Sequence, residues 1–149
     1  MSDDRMSRLE REMDERADLF GRLLHRFGPA VLDEVADTVG DRAERAMKNA
    51  PLEHRGLDAV MELLWDHMGD LADVTVVERT PTRLSLRVSK CVFAERMRDL
   101  DAAQIGHACY CAYDDGFCRG LNPRIRFTRT KTLMQGDACC DHTYELADE

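Results

Sequence analysis

The segment VTVVERTPTRLSLRV, residues 74–88, is where the apolar residues of this chain change their spacing. An alternation of apolar and polar residues begins at Val74 and stops at a turn over residues 78–81. It resumes at Leu84 and continues to Val88, in the pattern of a strand that is buried on one side. Two such runs joined by a short turn predict an antiparallel β-hairpin.

Three amphipathic helices are predicted before this hairpin. Apolar residues recur at every third or fourth position over about residues 5–27, 29–48 and 56–69. Gly28 and Pro29 separate the first two helices, because glycine often ends a helix and proline is tolerated at a first helical position. The front of the chain is therefore expected to be helical throughout.

A helical pattern returns after the hairpin, over residues 92–119, in two pieces that divide near Leu100. Residues 124–133 and 139–146 then alternate between apolar and polar side chains as two further strands. The loop-forming residues 135–137 stand between them, which predicts a second hairpin.

This order predicts an α+β fold, with N-terminal helices, then a β-hairpin, two helices and a second β-hairpin. The simplest arrangement is a four-stranded antiparallel sheet with the helices packed on one face. A length of 149 residues suits a single domain, 1–149, in which a helical part spans residues 1–70 and an α+β part spans residues 71–149. The second part carries most of the cysteines.

Composition limits the classes of partner. A net charge of −8 disfavours nucleic acid, because phosphate backbones are bound by Lys and Arg. The basic run at residues 124–131 does not change this expectation, since successive strand residues face opposite sides of a sheet. No apolar run approaches the ~20 residues of a membrane helix, and the charged N-terminus lacks the apolar core of a secretion signal. We expect a cytoplasmic protein with no nucleic-acid partner and no membrane.

Six cysteines are many for a chain of this length. In a reducing compartment they are expected to be metal ligands, catalytic thiols or core residues rather than disulfides. No Cys-x-x-Cys pair is present, so a zinc finger or ribbon has no support. All except Cys91 fall in one segment, at positions Cys109, Cys111, Cys118, Cys139 and Cys140.

One predicted helix carries a stripe of chemically active side chains. Residues three or four positions apart share a helix face, which aligns His107 and Cys111 with Asp114 and then Cys118. Cys109 falls on another face of an α-helix. A single cysteine is more often a core residue, but a buried carboxylate needs a partner. The stripe as a whole therefore favours a functional cluster.

The last predicted strand turns Cys140, His142 and Tyr144 to one face and Cys139 to the other. The bulk of Tyr144 indicates that the first set faces the core. Cys140 and His142 are then expected to meet the helix stripe between helix and sheet.

Arg129 and Lys131 continue the apolar phase of the preceding strand, which Ile125 and Phe127 define. Cations on such a face either extend to solvent at the end of the sheet or bind an anion. Taken singly, each is more often a solvated cation. A substrate that bears a carboxylate would make both of them substrate-binding residues.

The segment from Cys91 to His142 resembles the L-2-amino-thiazoline-4-carboxylic acid hydrolase family. It contains KCVFAERMRDL, IGHACYCAYDDGF and NPRIRFTRTKTLMQGDACCDH. The matching elements are Cys91 to Glu95, Cys111 with Asp114, Asn122-Pro123, Thr130 to Leu133, and Gly136-Asp137 with Cys140-Asp141. His142 departs from the pattern, which has an aromatic residue there, and the N-terminal helices match only in character.

The resemblance implies a hydrolase that opens a C–N bond of a thiazoline-like or amidine-like carboxylate, which is a small-molecule substrate. The reacting carbon needs an activated nucleophile and a proton donor. Cys111 would attack it with Asp114 or His107 as partner, or a metal held by Cys111, Asp114 and Cys140 would activate water. Thiolate ligands suit zinc or iron, and the candidate ligands are Cys91, Cys111, Cys118, Cys140 and His142.

The end of the pattern also resembles the 4-vinyl-reductase-type small-molecule-binding domain, through residues 116–120 and 135–140. That likeness implies an alternative, a metal- or ligand-binding sensor module without turnover. A third interpretation places all the cysteines in the core. The helices before residue 70 are expected to serve assembly, and the apolar stripe of the first, with Leu9, Leu19 and Leu23, predicts a homodimer.

Overall fold

The computed structural model describes residues 2–147 and begins with two long helices. A short third helix continues directly into a π-helical turn, and a single 3-10 turn then leads into the sheet. The bounds are α1 Asp3–Phe27, α2 Ala30–Asn49, α3 Leu57–Val60, the π-turn Met61–Trp65 and the 3-10 turn Gly69–Leu71.

Four strands form one antiparallel sheet in the order β1-β2-β4-β3. The strands are β1 Ala72–Arg79, β2 Arg83–Cys91, β3 Ile125–Arg129 and β4 Cys140–Leu146. Three helices and a second π-turn connect β2 to β3, namely α4 Val92–Asp99, α5 Ala103–Gly106, the π-turn His107–Cys111 and α6 Tyr113–Leu121. The predicted α+β class and antiparallel sheet are confirmed.

The helices cover one face of the sheet. Leu84, Leu86 and Val88 of β2 are at most 2% exposed, while the residues between them are partly or fully exposed. β4 follows the same alternation, with Cys140 and Tyr144 buried. The core therefore lies between this inner sheet face and the helices. None of the described helices is long and apolar enough to cross a membrane.

The second hairpin differs from its prediction, because β3 ends at Arg129 and not at residue 133. Asp141 of β4 is the cause. Its Oδ1 accepts hydrogen bonds from the backbone N–H groups of Thr130 and Lys131, at 2.8 and 2.7 Å. These two groups leave the ladder, and a 3-10 turn at Leu133–Gln135 follows. Lys131 is consequently exposed and outside the strand, so the inward phase predicted for it is wrong.

Helices α2 and α6 approach each other so closely that only glycine fits on α6. A Cβ added at Gly116 would stand 2.1 Å from the carbonyl oxygen of Gly40. One at Gly120 would stand 2.2 Å from the carbonyl oxygen of Glu44. These contacts involve backbone atoms, which cannot move aside as a side chain can. The two glycines therefore set the distance between α2 and α6.

Helix α1 leaves part of its apolar stripe exposed in the described chain. Met13 is fully buried, whereas Leu19 and Phe27 are 54% and 64% exposed. A homodimer that covers this stripe stays a prediction.

Replacing Gly116 by alanine is expected to destabilise the fold strongly. The new methyl group has to displace backbone of α2, which corresponds to about 3 kcal/mol or more in the free energy of unfolding. Urea denaturation measures the change. Gly21→Ala is the matched control, because its Cβ would meet its nearest atom at an ordinary 3.9 Å. That control should be neutral or stabilise by up to about 1 kcal/mol, and equal effects of the two variants would contradict the close helix contact.

Candidate functional site

A cavity of about 530 Å³ lies between the helices and the inner face of the sheet. Most of its wall is apolar, with contributions from α2, the first π-turn, β2 and α4. One part of the wall concentrates the chemically active groups, which are Cys91, Cys111, Asp114, Arg129, Cys140 and His142. An apolar cavity with a few convergent polar groups is the usual form of a small-molecule site.

A buried ion pair joins α6 to β3 at this part of the wall. Arg129 Nη1 donates to Asp114 Oδ2 at 2.6 Å, and the two side chains are only 11% and 14% exposed. Arg129 Nη2 also donates to the backbone carbonyl of Cys111 at 3.2 Å. Burial raises the pKa of Asp114 to about 6, although Arg129 opposes the rise. Asp114 therefore exchanges its proton close to neutral pH, which a general acid or base requires.

His142 stands opposite Arg129 in the sheet register and is 3% exposed. Trp65 Nε1 donates to the hydroxyl of Tyr144 at 3.1 Å, and that hydroxyl lies 3.3 Å from His142 Nδ1. Because the hydroxyl accepts from Trp65, its own proton is free to bond to Nδ1. In the tautomer that accepts this proton at Nδ1, His142 carries its own ring proton on Nε2. Burial and then Arg129 lower the pKa of His142 to about 3, so the ring is neutral at physiological pH.

Three thiols surround the ion pair. Burial raises the pKa of Cys111 to about 12, and the charges of Asp114 and of the neighbouring Cys91 and Cys140 act in the same direction. Cys140 Sγ accepts a hydrogen bond from the backbone N–H of Leu133 at 3.3 Å. These cysteines are therefore protonated at neutral pH, and a protonated thiol is a weak nucleophile.

The structure brings some of the predicted residues to the cavity and leaves others away from it. Cys111, Asp114, Arg129 and Cys140 line it, as do Cys91 and His142. His107 is half-buried and lines no part of it, and Cys118 is buried in the core behind the wall. Lys131 is exposed and also lies outside the wall. None of the six cysteines forms a disulfide.

The second π-turn explains why the predicted helix stripe is wrong at its first residue, His107. The backbone N–H of Ala112 bonds to the carbonyl of His107, five residues back, so residues four apart no longer share a face there. His107 is displaced from the stripe by this irregularity. Cys109, which the α-helical pattern placed on another face, lines the cavity instead.

The described residues contain no ligand set for the expected zinc or iron. No three of their His, Cys, Asp or Glu side chains are arranged to hold a metal ion. The Asp114 oxygen is bonded to Arg129, the His142 Nδ1 to Tyr144, and the Cys140 sulfur to a backbone N–H. These donors are engaged within the protein, and zinc or iron at this site stays a prediction.

Sequence reasoning missed the contribution of the front helices. They were expected to serve assembly, yet α1 supplies Arg16, α2 supplies Arg42, and the first π-turn supplies Trp65 to the cavity wall. Tyr110, in the second π-turn, also lines it. The apolar stripes of the front helices predicted burial, but no motif in the sequence marked these polar residues as part of the same cavity wall as Asp114.

Replacing His142 by phenylalanine is expected to make the protein more tolerant of acid. The pKa of His142 is about 3 when folded and 6.5 in the reference state, so the unfolded chain binds more protons and acidification destabilises the fold between these values. From about pH 7 to about pH 5, this amounts to about 2 kcal/mol, which the variant should not lose.

The raised pKa of Asp114 has the opposite effect on stability, in both proteins. Its folded form takes up a proton as the pH falls through about 6, which stabilises the fold on acidification. Urea denaturation at the two pH values gives the difference between variant and wild type. The exposed His67 offers a control, and His67→Gln should show no such difference. An equal loss of stability in wild type and His142→Phe would show that His142 is not held neutral.

The comparisons with known proteins agree with this architecture. No curated protein matches the chain. Among solved structures, a trafficking protein particle complex subunit 3 from Naegleria fowleri, covalently bound to palmitic acid, superposes with a TM-score of 0.52. The identity is 14%, over 93% of this chain and 95% of the other, so the likeness shows a shared fold. Residues 8–144 match the family described as L-2-amino-thiazoline-4-carboxylic acid hydrolase, and this chain belongs to that family.

Proposed function

We propose that this protein hydrolyses a small molecule at an amidine-like or thiazoline-like carbon, inside the cavity and next to Asp114. The observation that carries the proposal is the buried Asp114 carboxyl group, whose pKa is about 6. A general base works best when its pKa lies near the working pH. Family membership supports the same reaction class, although the fold alone would not, since one fold serves many activities.

Asp114 takes the role of the base in this proposal, and water is the nucleophile. The carboxylate accepts a proton from water as the oxygen bonds to the electrophilic carbon. The proton then passes to the neighbouring heteroatom of the substrate, whose bond to that carbon breaks. Cys111 is the less suitable nucleophile, because its pKa of about 12 leaves almost no thiolate at neutral pH.

The groups around Asp114 have supporting roles. Arg129 holds the carboxylate in place through its 2.6 Å bond and keeps the pKa from rising further. In the tautomer whose Nδ1 accepts from Tyr144, the neutral ring of His142 offers its Nε2–H as a donor for a substrate atom. Cys111 contributes its backbone carbonyl, which fixes the second nitrogen of Arg129. The apolar walls exclude water that would otherwise weaken these interactions.

Asp114→Asn is expected to lower the rate of hydrolysis of L-2-amino-thiazoline-4-carboxylic acid by about 10²–10⁴, because the amide cannot accept the proton. In the wild type the rate should rise as the pH increases through about 6 and the carboxylate forms. Release of product measured by chromatography gives the rates. Cys111→Ser should keep activity within about tenfold, since it leaves the backbone carbonyl in place.

Cys139→Ser provides a control, because Cys139 is buried but does not line the cavity. Circular dichroism of each variant separates loss of chemistry from loss of fold, which Asp114→Asn risks by leaving Arg129 unpaired. An Asp114→Asn protein that folds and turns over at the wild-type rate would contradict the assignment of the base. Loss of activity in a folded Cys111→Ser protein would instead identify the thiol as the nucleophile.

A second function, ligand binding without turnover, has one observation in its favour. The cavity wall is mostly apolar, from α2 residues such as Val39 and Ala43 to Phe93 and Met134. The solved structure that shares this fold is described as covalently bound to palmitic acid. Native mass spectrometry of the purified protein tests this function. A stoichiometric apolar ligand that stays intact on prolonged incubation would favour binding over hydrolysis.

A further inference from the structure

Three buried side chains form a hydrogen-bonded chain next to Asp114, and the proposed chemistry gives no role to the first of them. Trp65 Nε1 donates to the Tyr144 hydroxyl at 3.1 Å, and that hydroxyl lies 3.3 Å from Nδ1 of His142. Trp65 is 8% exposed, and Tyr144 is fully buried. Trp65 and His142 line the cavity, whereas Tyr144 does not. The proton positions along such a chain depend on one another.

The indole group fixes the direction of the chain, because it can donate a hydrogen bond but cannot accept one. The Tyr144 oxygen therefore accepts from Trp65, and its own proton needs another acceptor. Among the described residues, Nδ1 of His142 is the only further partner of this hydroxyl. A proton on Nδ1 would leave the buried hydroxyl proton without a partner, which is unfavourable.

Asp114 does not offer Nδ1 an alternative partner. Its Oδ2 stands 3.8 Å from Nδ1, which is beyond hydrogen-bond distance, and already accepts from Arg129 at 2.6 Å. Aromatic neighbours also restrain the ring of His142. Trp65 lies edge-on to it with centroids 4.7 Å apart, and the centroid of Phe127 lies at 5.5 Å. A rotation that exchanged the two ring nitrogens would have to pass between these rings.

The second ring nitrogen of His142, Nε2, is the free end of the chain. It makes no hydrogen bond to any described residue, yet it is not a fully buried atom. Because His142 is only 3% exposed and lines the cavity, the accessible surface of Nε2 opens into the cavity. The ring that carries it lies beside the ion pair, since its other nitrogen is 3.8 Å from Asp114.

We propose that Trp65 and Tyr144 are positioning residues that hold His142 in the Nε2–H tautomer, so that the cavity offers a neutral hydrogen-bond donor beside Asp114. The ligand atom that this donor binds needs a free lone pair, as in a carbonyl oxygen or an imine nitrogen. A protonated amidine nitrogen has no such lone pair, so the site selects a neutral group. That the bound group is a substrate rests on the proposed function, whereas the tautomer does not depend on turnover.

Nitrogen-15 NMR of protein labelled in its histidine rings tests the tautomer. At about pH 7, in protein freed of metal by a chelator, His142 should show a protonated Nε2 and an unprotonated Nδ1. Its resonances are identified by their absence from the spectrum of His142→Phe. A protonated Nδ1 in the wild type, or a mixture with more than about a tenth of that form, would overturn the proposal.

Two variants locate the restraint, because Trp65→Phe removes only the indole N–H and Tyr144→Phe removes only the hydroxyl. Each should raise the Nδ1–H form of His142 by at least about a tenth of the population. Tyr113→Phe is the matched control, since Tyr113 also lines the cavity but does not bond to His142. Circular dichroism checks the fold of each variant. A folded variant with the wild-type tautomer would exclude a positioning role for the residue replaced.

The neutral compound 2-thiazolidinone tests the ligand chemistry, because it combines the ring of the proposed substrate class with a carbonyl group. In an NMR titration of the wild type it should shift the His142 Nε2–H resonance to saturation. His142→Phe should bind it about two- to tenfold more weakly, as expected for the loss of one neutral hydrogen bond. Absence of binding to the wild type, or equal affinity in the folded variant, would contradict a donor role for Nε2.

These measurements separate the positioning role from the proposed function. If the tautomer and the binding are as expected and the wild type hydrolyses no amidine-like or thiazoline-like compound, only the proposed function fails. If hydrolysis depends on Asp114 while Nδ1 of His142 carries the proton, only the positioning role fails.

Discussion

The ion pair between Asp114 and Arg129 determines most of what this site does. A carboxylate and a guanidinium each lose hydration when they are buried, and their mutual bond offsets part of that loss. The pair at 2.6 Å ties the first turn of α6 to the last residue of β3. The second bond of Arg129, to the carbonyl of Cys111, includes the π-turn in the same arrangement. Burial then raises the pKa of Asp114 to about 6, so the carboxyl group of this ion pair can exchange its proton near neutral pH.

The close contact of α2 with α6 places this pair at the wall of a cavity rather than inside a filled core. Gly116 and Gly120 lie on the same helix as Asp114, and they bring α2 within backbone contact of it. Val39 and Arg42 of α2 contribute to the cavity wall. The front helices are thus part of the cavity wall.

Much of the fold followed from hydrophobic spacing alone. The alternation around Leu84 predicted the first hairpin, and the phase of Tyr144 predicted that Cys140 and His142 turn inward. Helical spacing together with the family resemblance placed Cys111 and Asp114 near Cys140, and the three line one cavity. The sequence pattern could not decide the catalytic and metal-binding roles of these residues, because such roles depend on burial and on hydrogen-bond partners.

The errors have local physical causes that spacing does not express. A π-turn changes the helical period, so the pattern misplaced His107 and Cys109. Asp141 bonds the backbone of the residues that follow β3, which left Lys131 outside the strand. That Arg42 and Asp114 line one cavity depends on packing between distant segments of the chain. No short-range pattern reports such a contact.

The central claim is that Asp114 is a buried carboxyl group that exchanges its proton near neutral pH. Carbon-13 NMR of the aspartate side-chain carboxyl groups, followed from about pH 3 to about pH 8, measures this directly. One aspartate should titrate with a midpoint at about 6, and its resonance should be missing from the spectrum of Asp114→Asn. If every aspartate titrates near or below the ordinary value of about 3.9, the carboxylate is an ordinary ion-pair partner and the account is wrong.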